Sequence, residues 1–133
     1  MTQDEKSILL KDLCARVPYH PKGHVVNACN GAECDEWLTC ATFTMFTNVT
    51  NNCRLYLRPM SSMTEEEKIE LKQISNDYLD EWENTKTSLE RWKLDAKESY
   101  KRAMFYNSHH FDWNGLIELG LAIEASERMY KTE

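Results

Sequence analysis

An α+β fold is expected from three features of the sequence. The first residues carry a helix-capping pattern. A middle stretch is rich in valine, threonine and aromatics. No glycine or proline then occurs between Pro59 and Gly115. The expected order is an N-terminal helix, a small antiparallel sheet of about three strands, and a helical part. The helical part is either a hairpin or one long helix, closed by a short C-terminal helical cap. At 133 residues the chain suits a single domain over 1–133. Residues 1–58 would form the helix plus sheet, and 59–133 the helical part.

The first helix is expected over 2–16. Thr2 and Glu5 have capping-box spacing, in which hydroxyl and carboxylate satisfy each other's backbone donors. Ile8, Leu9, Leu13 and Cys14 recur at helical intervals, and Pro18 and Pro21 stop the helix. A strand is expected over 24–28, followed by a turn at Asn30-Gly31, residues that tolerate positive φ. Over 37–47 apolar and threonine side chains alternate imperfectly, which reads as a second strand. Residues 48–52 form an asparagine-rich turn and 53–57 a last short strand.

Thr64 with Glu67 makes a second capping box, and Glu65 and Glu66 favour the positive helix end. One stripe then runs Leu71, Ile74, Tyr78, Trp82, Thr85, Leu89, Trp92, Ala96, Tyr100, Ala103, in steps of three or four. A single helix would span ~60 Å at 1.5 Å per residue and leave half this stripe without an intrachain partner. The polar run 84–88, with Thr87 and Glu90 able to cap a new helix, favours a hairpin. The run 107–115 breaks the helix. Leu116 to Ile123 would pack back as a short apolar helix or turn.

The net charge of −6 disfavours contact with phosphate backbones, so a nucleic-acid partner is not expected. No run of ~18 apolar residues suggests a membrane span. The acidic start Met1-Thr2-Gln3-Asp4-Glu5-Lys6 lacks the apolar centre of a secretory signal, so a cytoplasmic protein is expected. The five cysteines are spaced unlike a zinc knuckle, and reduced thiols packed as small hydrophobes are expected. A disulfide among Cys29, Cys34 and Cys40 is the alternative. Asn48-Val49-Thr50 matches a glycosylation sequon, a triplet that chance supplies often.

His109, His110 and Asp112 are the most tempting chemical group, since two imidazoles and a carboxylate could bind a metal or move a proton. Adjacent side chains point apart on regular backbone, so the default is helix-end capping and no metal or cofactor. Cys14, Cys29 or Cys53 could pair with His20 or His24 as a nucleophile, but nothing nearby depresses a thiol pKa. There is no glycine-rich phosphate loop and no nucleophile elbow. Trp82 and Trp92 lie on the stripe and are expected in a core. Exposed, they would mark a partner-binding surface.

Two stretches carry a resemblance. One is Tyr56-Leu57-Arg58-Pro59-Met60-Ser61-Ser62-Met63-Thr64-Glu65-Glu66-Glu67. The other is His109-His110-Phe111-Asp112 leading into Gly115-Leu116-Ile117 and Gly120-Leu121-Ala122-Ile123-Glu124-Ala125. Over about a third of its length the chain resembles an uncharacterised family of short proteins from Bacteroides-type bacteria, their phages and mobile elements. It departs from the family at Trp113 and Asn114, where tyrosine and arginine are common, and at Ser126, where proline is. The resemblance implies a bacterial or phage origin, a cytosolic place and an accessory role, with no catalytic assignment.

The expected function is therefore a non-enzymatic accessory or regulatory protein acting through protein contacts, with a protein partner or a homodimer. Capping does not account for Tyr56 and Arg58, and these with Trp113 are the candidate binding residues. The alternative is a small enzyme or a ligand or metal binder using His109, His110 and Asp112.

Overall fold

The structure, a computed structural model, describes residues 2–27, 29–47 and 52–130. It is α+β. The backbone forms two compact units. Met1–Met60 with Asn107–Glu133 make the first, and Ser61–Tyr106 make the second.

In the first unit, α1 spans Gln3–Arg16. The Thr2 hydroxyl accepts from Glu5 N–H and the Glu5 carboxylate from Thr2 N–H, so the expected capping box is present. Pro18 falls in a 3-10 turn over Val17–Tyr19. Strand β1 (Lys22–Val26) pairs antiparallel with β2 (Glu33–Trp37) around Gly31, whose φ is +70°. The first strand thus begins two residues earlier than expected, and Ala28 lies outside the described residues.

The expected strand over 37–47 is not there. Only Trp37 belongs to a strand, and Phe43–Thr47 form a short helix, α2. Threonine side chains explain the difference. Thr42 Oγ1 donates to the Trp37 carbonyl and accepts from Thr39 N–H, which turns the chain. Thr47 Oγ1 donates back to Phe43 O at 3.2 Å. Such local bonds compete with a ladder. The turn and sequon at 48–51 lie outside the described residues.

Strand β3 (Asn52–Leu57) pairs antiparallel with β1. The C-terminal segment corrects the sequence reading again. Residues Ala122–Glu124 form a strand, β4, parallel to β3, where a helical cap was expected. The sheet is therefore mixed and four-stranded, in the order β2-β1-β3-β4, and not a three-stranded antiparallel one. An isolated parallel bridge, Arg58 with Phe111, extends the β3 edge.

One sheet face covers the core, with Val25, Leu55, Leu57 and Ala122 packed with Leu13, Phe46, Leu116 and Leu121. Leu57 and Leu116 are fully buried. Gly23 admits the Phe46 ring onto β1, since a Cβ there would lie 2.3 Å from Phe46 Cε1. Gly23→Ala is expected to cost about 1–3 kcal/mol through overpacking. A urea midpoint equal to that of the wild type would show that the ring moves aside freely.

The second unit holds α3 (Glu65–Glu83) and all but the last two residues of α4 (Ser88–Ser108); these are separate helices, which decides for the hairpin. Thr64 and Glu67 form the expected capping box. Thr87 Oγ1 accepts from Glu90 N–H, while the Glu90 carboxylate takes Lys86 N–H. The Tyr78 hydroxyl donates to Asp95 at 2.6 Å, Lys97 pairs with Glu81 at 3.3 Å, and Arg102 reaches Glu98 and Ser75. Leu94 and Phe105 are this unit's buried large apolar side chains.

Candidate functional site

The backbone around His109–Asp112 is held by the end of β3. Arg58 N–H donates to His110 O and Arg58 O accepts from Asp112 N–H, both at 2.8 Å. The Arg58 guanidinium lies 4.2 Å from the Phe111 ring centroid and donates to His109 O at 3.4 Å. Arg58 therefore clamps this segment. Both Asp112 carboxylate oxygens are engaged, accepting from Leu116 N–H at 2.7 Å and Ile117 N–H at 3.0 Å. That is local capping of the next turn.

His110 has left-handed backbone, φ +62°, and its ring stacks on Tyr130 with centroids 4.0 Å apart. Its Nδ1 is buried and has no hydrogen-bond partner among the described residues. The His109 ring lies 6.2 Å from that of Phe111. The Asp112 carboxylate thus caps a turn, while the His110 ring stacks on Tyr130. Among the described residues no group of three His, Cys, Asp or Glu side chains is placed to hold a metal ion.

Burial, then the charges of Arg16, Arg58 and His109, hold the His110 pKa down to about 4 from 6.5. The folded protein refuses a proton that the unfolded chain accepts, so stability is expected to fall as pH drops from about 6.5 toward 4. The full linkage would be ~3 kcal/mol; partial solvent exposure reduces it to about 1–2 kcal/mol. Urea midpoints at pH 7 and pH 4.5 should differ by this contribution in the wild type. A His110→Phe protein that kept the same pH dependence would place the titration elsewhere.

Beneath His110, Tyr130 joins two strands. Its hydroxyl accepts from Lys22 N–H and donates to the Tyr56 carbonyl. Burial pushes its pKa up to about 12, so it remains a neutral donor.

Trp113 is exposed, with its Nε1–H donated to Asn107 Oδ1 at 2.8 Å. Tyr56 lies on the sheet face opposite the core. There His24 Nδ1 donates to Asp35 Oδ1 at 3.0 Å, and the Tyr56 hydroxyl donates to the same oxygen at 3.0 Å. The His24 hydrogen bond, the larger effect, lowers the Asp35 pKa, and Tyr56 adds to it. Desolvation and then Asp35 raise that of Tyr56. Lys22 lies 5.5 Å from the centroid of Trp37. Tyr56 thus meets the His24–Asp35 pair, Arg58 the His109–Phe111 segment, and Trp113 the Asn107 side chain.

The sequence reading missed the His24–Asp35–Tyr56 cluster. Pairing outward from a two-residue Asn30-Gly31 turn would have set His24 opposite Trp37, whereas the observed register sets it opposite Asp35. As built, the cluster orients an imidazole with a carboxylate, but on an open surface. Burial raises the Cys53 pKa, and its Sγ faces the Met45 carbonyl at 3.2 Å. All five cysteines are free; Cys14, Cys29, Cys34 and Cys40 are exposed, against the expectation of buried thiols.

The largest departure from the sequence reading is on α4. At 100° per residue, Leu89, Trp92, Ala96 and Tyr100 fall within an arc of about 80°. Leu94 and Glu98, which line a groove with Ile74 and Tyr78 of α3, fall on the opposite side. The stripe thus faces away from α3: Leu89 is 60% exposed, Trp92 68% and Tyr100 67%. Trp82 is exposed too, under the Arg91 guanidinium at 4.8 Å. The expected core role of both helical tryptophans is corrected. The stripe continues across two helices whose contact surfaces differ.

The chain matches no protein-family model, no curated protein and no solved structure. Among the described residues no helix is long and apolar enough to cross a membrane.

Proposed function

We propose that this is a non-enzymatic accessory or regulatory protein that acts through protein contacts, with the outer face of α4 as its docking surface. The exposure of Leu89, Trp92 and Tyr100 on one helix face carries this reading. A soluble domain gains nothing in stability from aromatic side chains in water, and such groups at the centre of an interface supply most of its binding energy. The resemblance of Tyr56–Glu67 and His109–Ala125 to short proteins of Bacteroides-type bacteria and their phages supports a cytoplasmic place in a mobile element's biology. The reading as an enzyme or metal binder through His109, His110 and Asp112 loses support, because capping occupies the Asp112 carboxylate.

The test is affinity capture from a native host, comparing wild type with Trp92→Ala/Tyr100→Ala. The double variant is expected to keep its helix content, because neither side chain is buried, and to bind the captured protein at least about 30-fold more weakly. Equal retention by the two proteins would rule out the α4 face.

A further inference from the structure

We propose that residues 126–130 form a strap that opens without disturbing the sheet beneath it, and that protonation of His110 favours the open form.

One side chain holds the strap. Ser126, Glu127 and Arg128 are exposed. Beyond Ala125, whose N–H bonds to Leu57 O, its one backbone hydrogen bond among the described residues is internal, from Met129 N–H to Ser126 O. Tyr130 makes the attachment, through its ring on His110 and its hydroxyl between β1 and β3.

The seat of that hydroxyl is able to close on itself. His24 pairs with Arg54 and Gly23 with Leu55, so Lys22 and Tyr56 are the next rung of the β1–β3 ladder. Leu57 O turns toward β4, where it takes Ala125 N–H, so Tyr56 O turns toward β1. Lys22 N–H and Tyr56 O are thus aimed at each other. The Tyr130 hydroxyl stands between them, accepting from Lys22 N–H at 2.9 Å and donating to Tyr56 O. Its withdrawal leaves a donor and an acceptor that satisfy each other, so the penalty for stranding buried backbone groups does not arise.

The closed strap also carries a cost that the open one lacks. His110 Nδ1 is buried with no hydrogen-bond partner among the described residues, and opening admits water to it. A proton on this ring meets cations from three places: Arg16 of α1, Arg58 just after β3, and His109 beside it. Asp12 is committed to Arg16 and Asn114, and Asp112 to two backbone N–H groups. The Tyr130 hydroxyl is neutral and is engaged by Lys22 and Tyr56. Burial and these cations depress the His110 pKa only while the strap is shut. The closed form is therefore favoured above about pH 6.5 and loses ground as pH falls toward 4.

The test is hydrogen exchange by NMR on the full-length protein. In Tyr130→Ala, Lys22 N–H is expected to stay protected within about threefold of wild type, with a coupling through the hydrogen bond to the Tyr56 carbonyl carbon. Exchange at least about tenfold faster, or a variant that does not fold, would make the hydroxyl a structural tie and overturn the proposal. In the wild type, exchange of the Tyr130 hydroxyl, read from its isotope effect on the Cζ shift and normalised to exposed Tyr100, reports opening. The opening constant is expected to rise about tenfold from pH 7 to pH 5, and His110→Phe, which keeps a stacked ring, to abolish that rise. It is also expected to be insensitive to dilute urea, whereas exchange of Val25 N–H in β1 accelerates. The same rise in His110→Phe would overturn the role of the imidazole. A urea dependence equal to that of Val25 would show that strap and sheet open together, which overturns the proposal outright.

Discussion

Arg16→Ala is expected to destabilise the first unit by about 3–5 kcal/mol, enough to unfold a marginal domain. Arg16 is fully buried and pairs with Asp12 at 2.7 Å, with neither side chain exposed. Its Nη2 donates to the Phe111 carbonyl at 2.7 Å, and Asn114 donates to the other Asp12 oxygen at 2.9 Å. One guanidinium thus ties α1 to the segment after α4. Removing it strands a buried carboxylate and a buried carbonyl together. The cost lies in what is left unpaired more than in the pair itself. Asp12→Leu/Arg16→Met should therefore be closer to wild type than Arg16→Ala alone. Denaturant melts of the two proteins test this. A double variant as unstable as the single one would show that the pair supplies net energy beyond its own desolvation.

Asp112→Ala is expected to cost about 2–3 kcal/mol. Its carboxylate accepts from two backbone donors, Leu116 N–H and Ile117 N–H, and the Leu116 side chain is fully buried. Charge-assisted bonds of this kind are the stronger ones, and a buried N–H without an acceptor is penalised in full. Asp112→Asn keeps one acceptor oxygen and should recover roughly half the loss. Thermal melts of the three proteins decide the matter. An alanine variant of wild-type stability would mean that the turn finds other acceptors and that the carboxylate serves something other than the fold.

The parts legible in the sequence were those fixed by near neighbours. Thr2 with Glu5 and Thr64 with Glu67 sit three residues apart, and each started a helix as expected. The polar run 84–88 marked the break between α3 and α4. What failed depended on distant partners. Phe43 to Thr47 alternates like a strand, but threonine hydroxyls capture the backbone first. Ala122-Ile123-Glu124 is too short to announce itself, and its partner, β3, lies on the far side of the hairpin in sequence. Arg16 and Asp12 stand one helical turn apart in plain view, but nothing local says that both are buried. On the candidate surface, periodicity found the stripe and could not say which side of α4 it would occupy. Packing against α3 uses a different arc, so the apolar residues the pattern highlighted are the ones left outside.

The parallel pairing of β4 with β3 bears on the order in which the chain acquires structure. Contacts in the hairpin are local, so it can form as soon as residues 64–106 leave the ribosome. The first unit must wait, because its fourth strand is made only after the hairpin has been synthesised. Until Ala122–Glu124 emerges, one edge of β3 stays open to other strands. Nascent chains stalled before and after residue 124 should therefore differ sharply in protease resistance within 1–60, although that segment is complete in both.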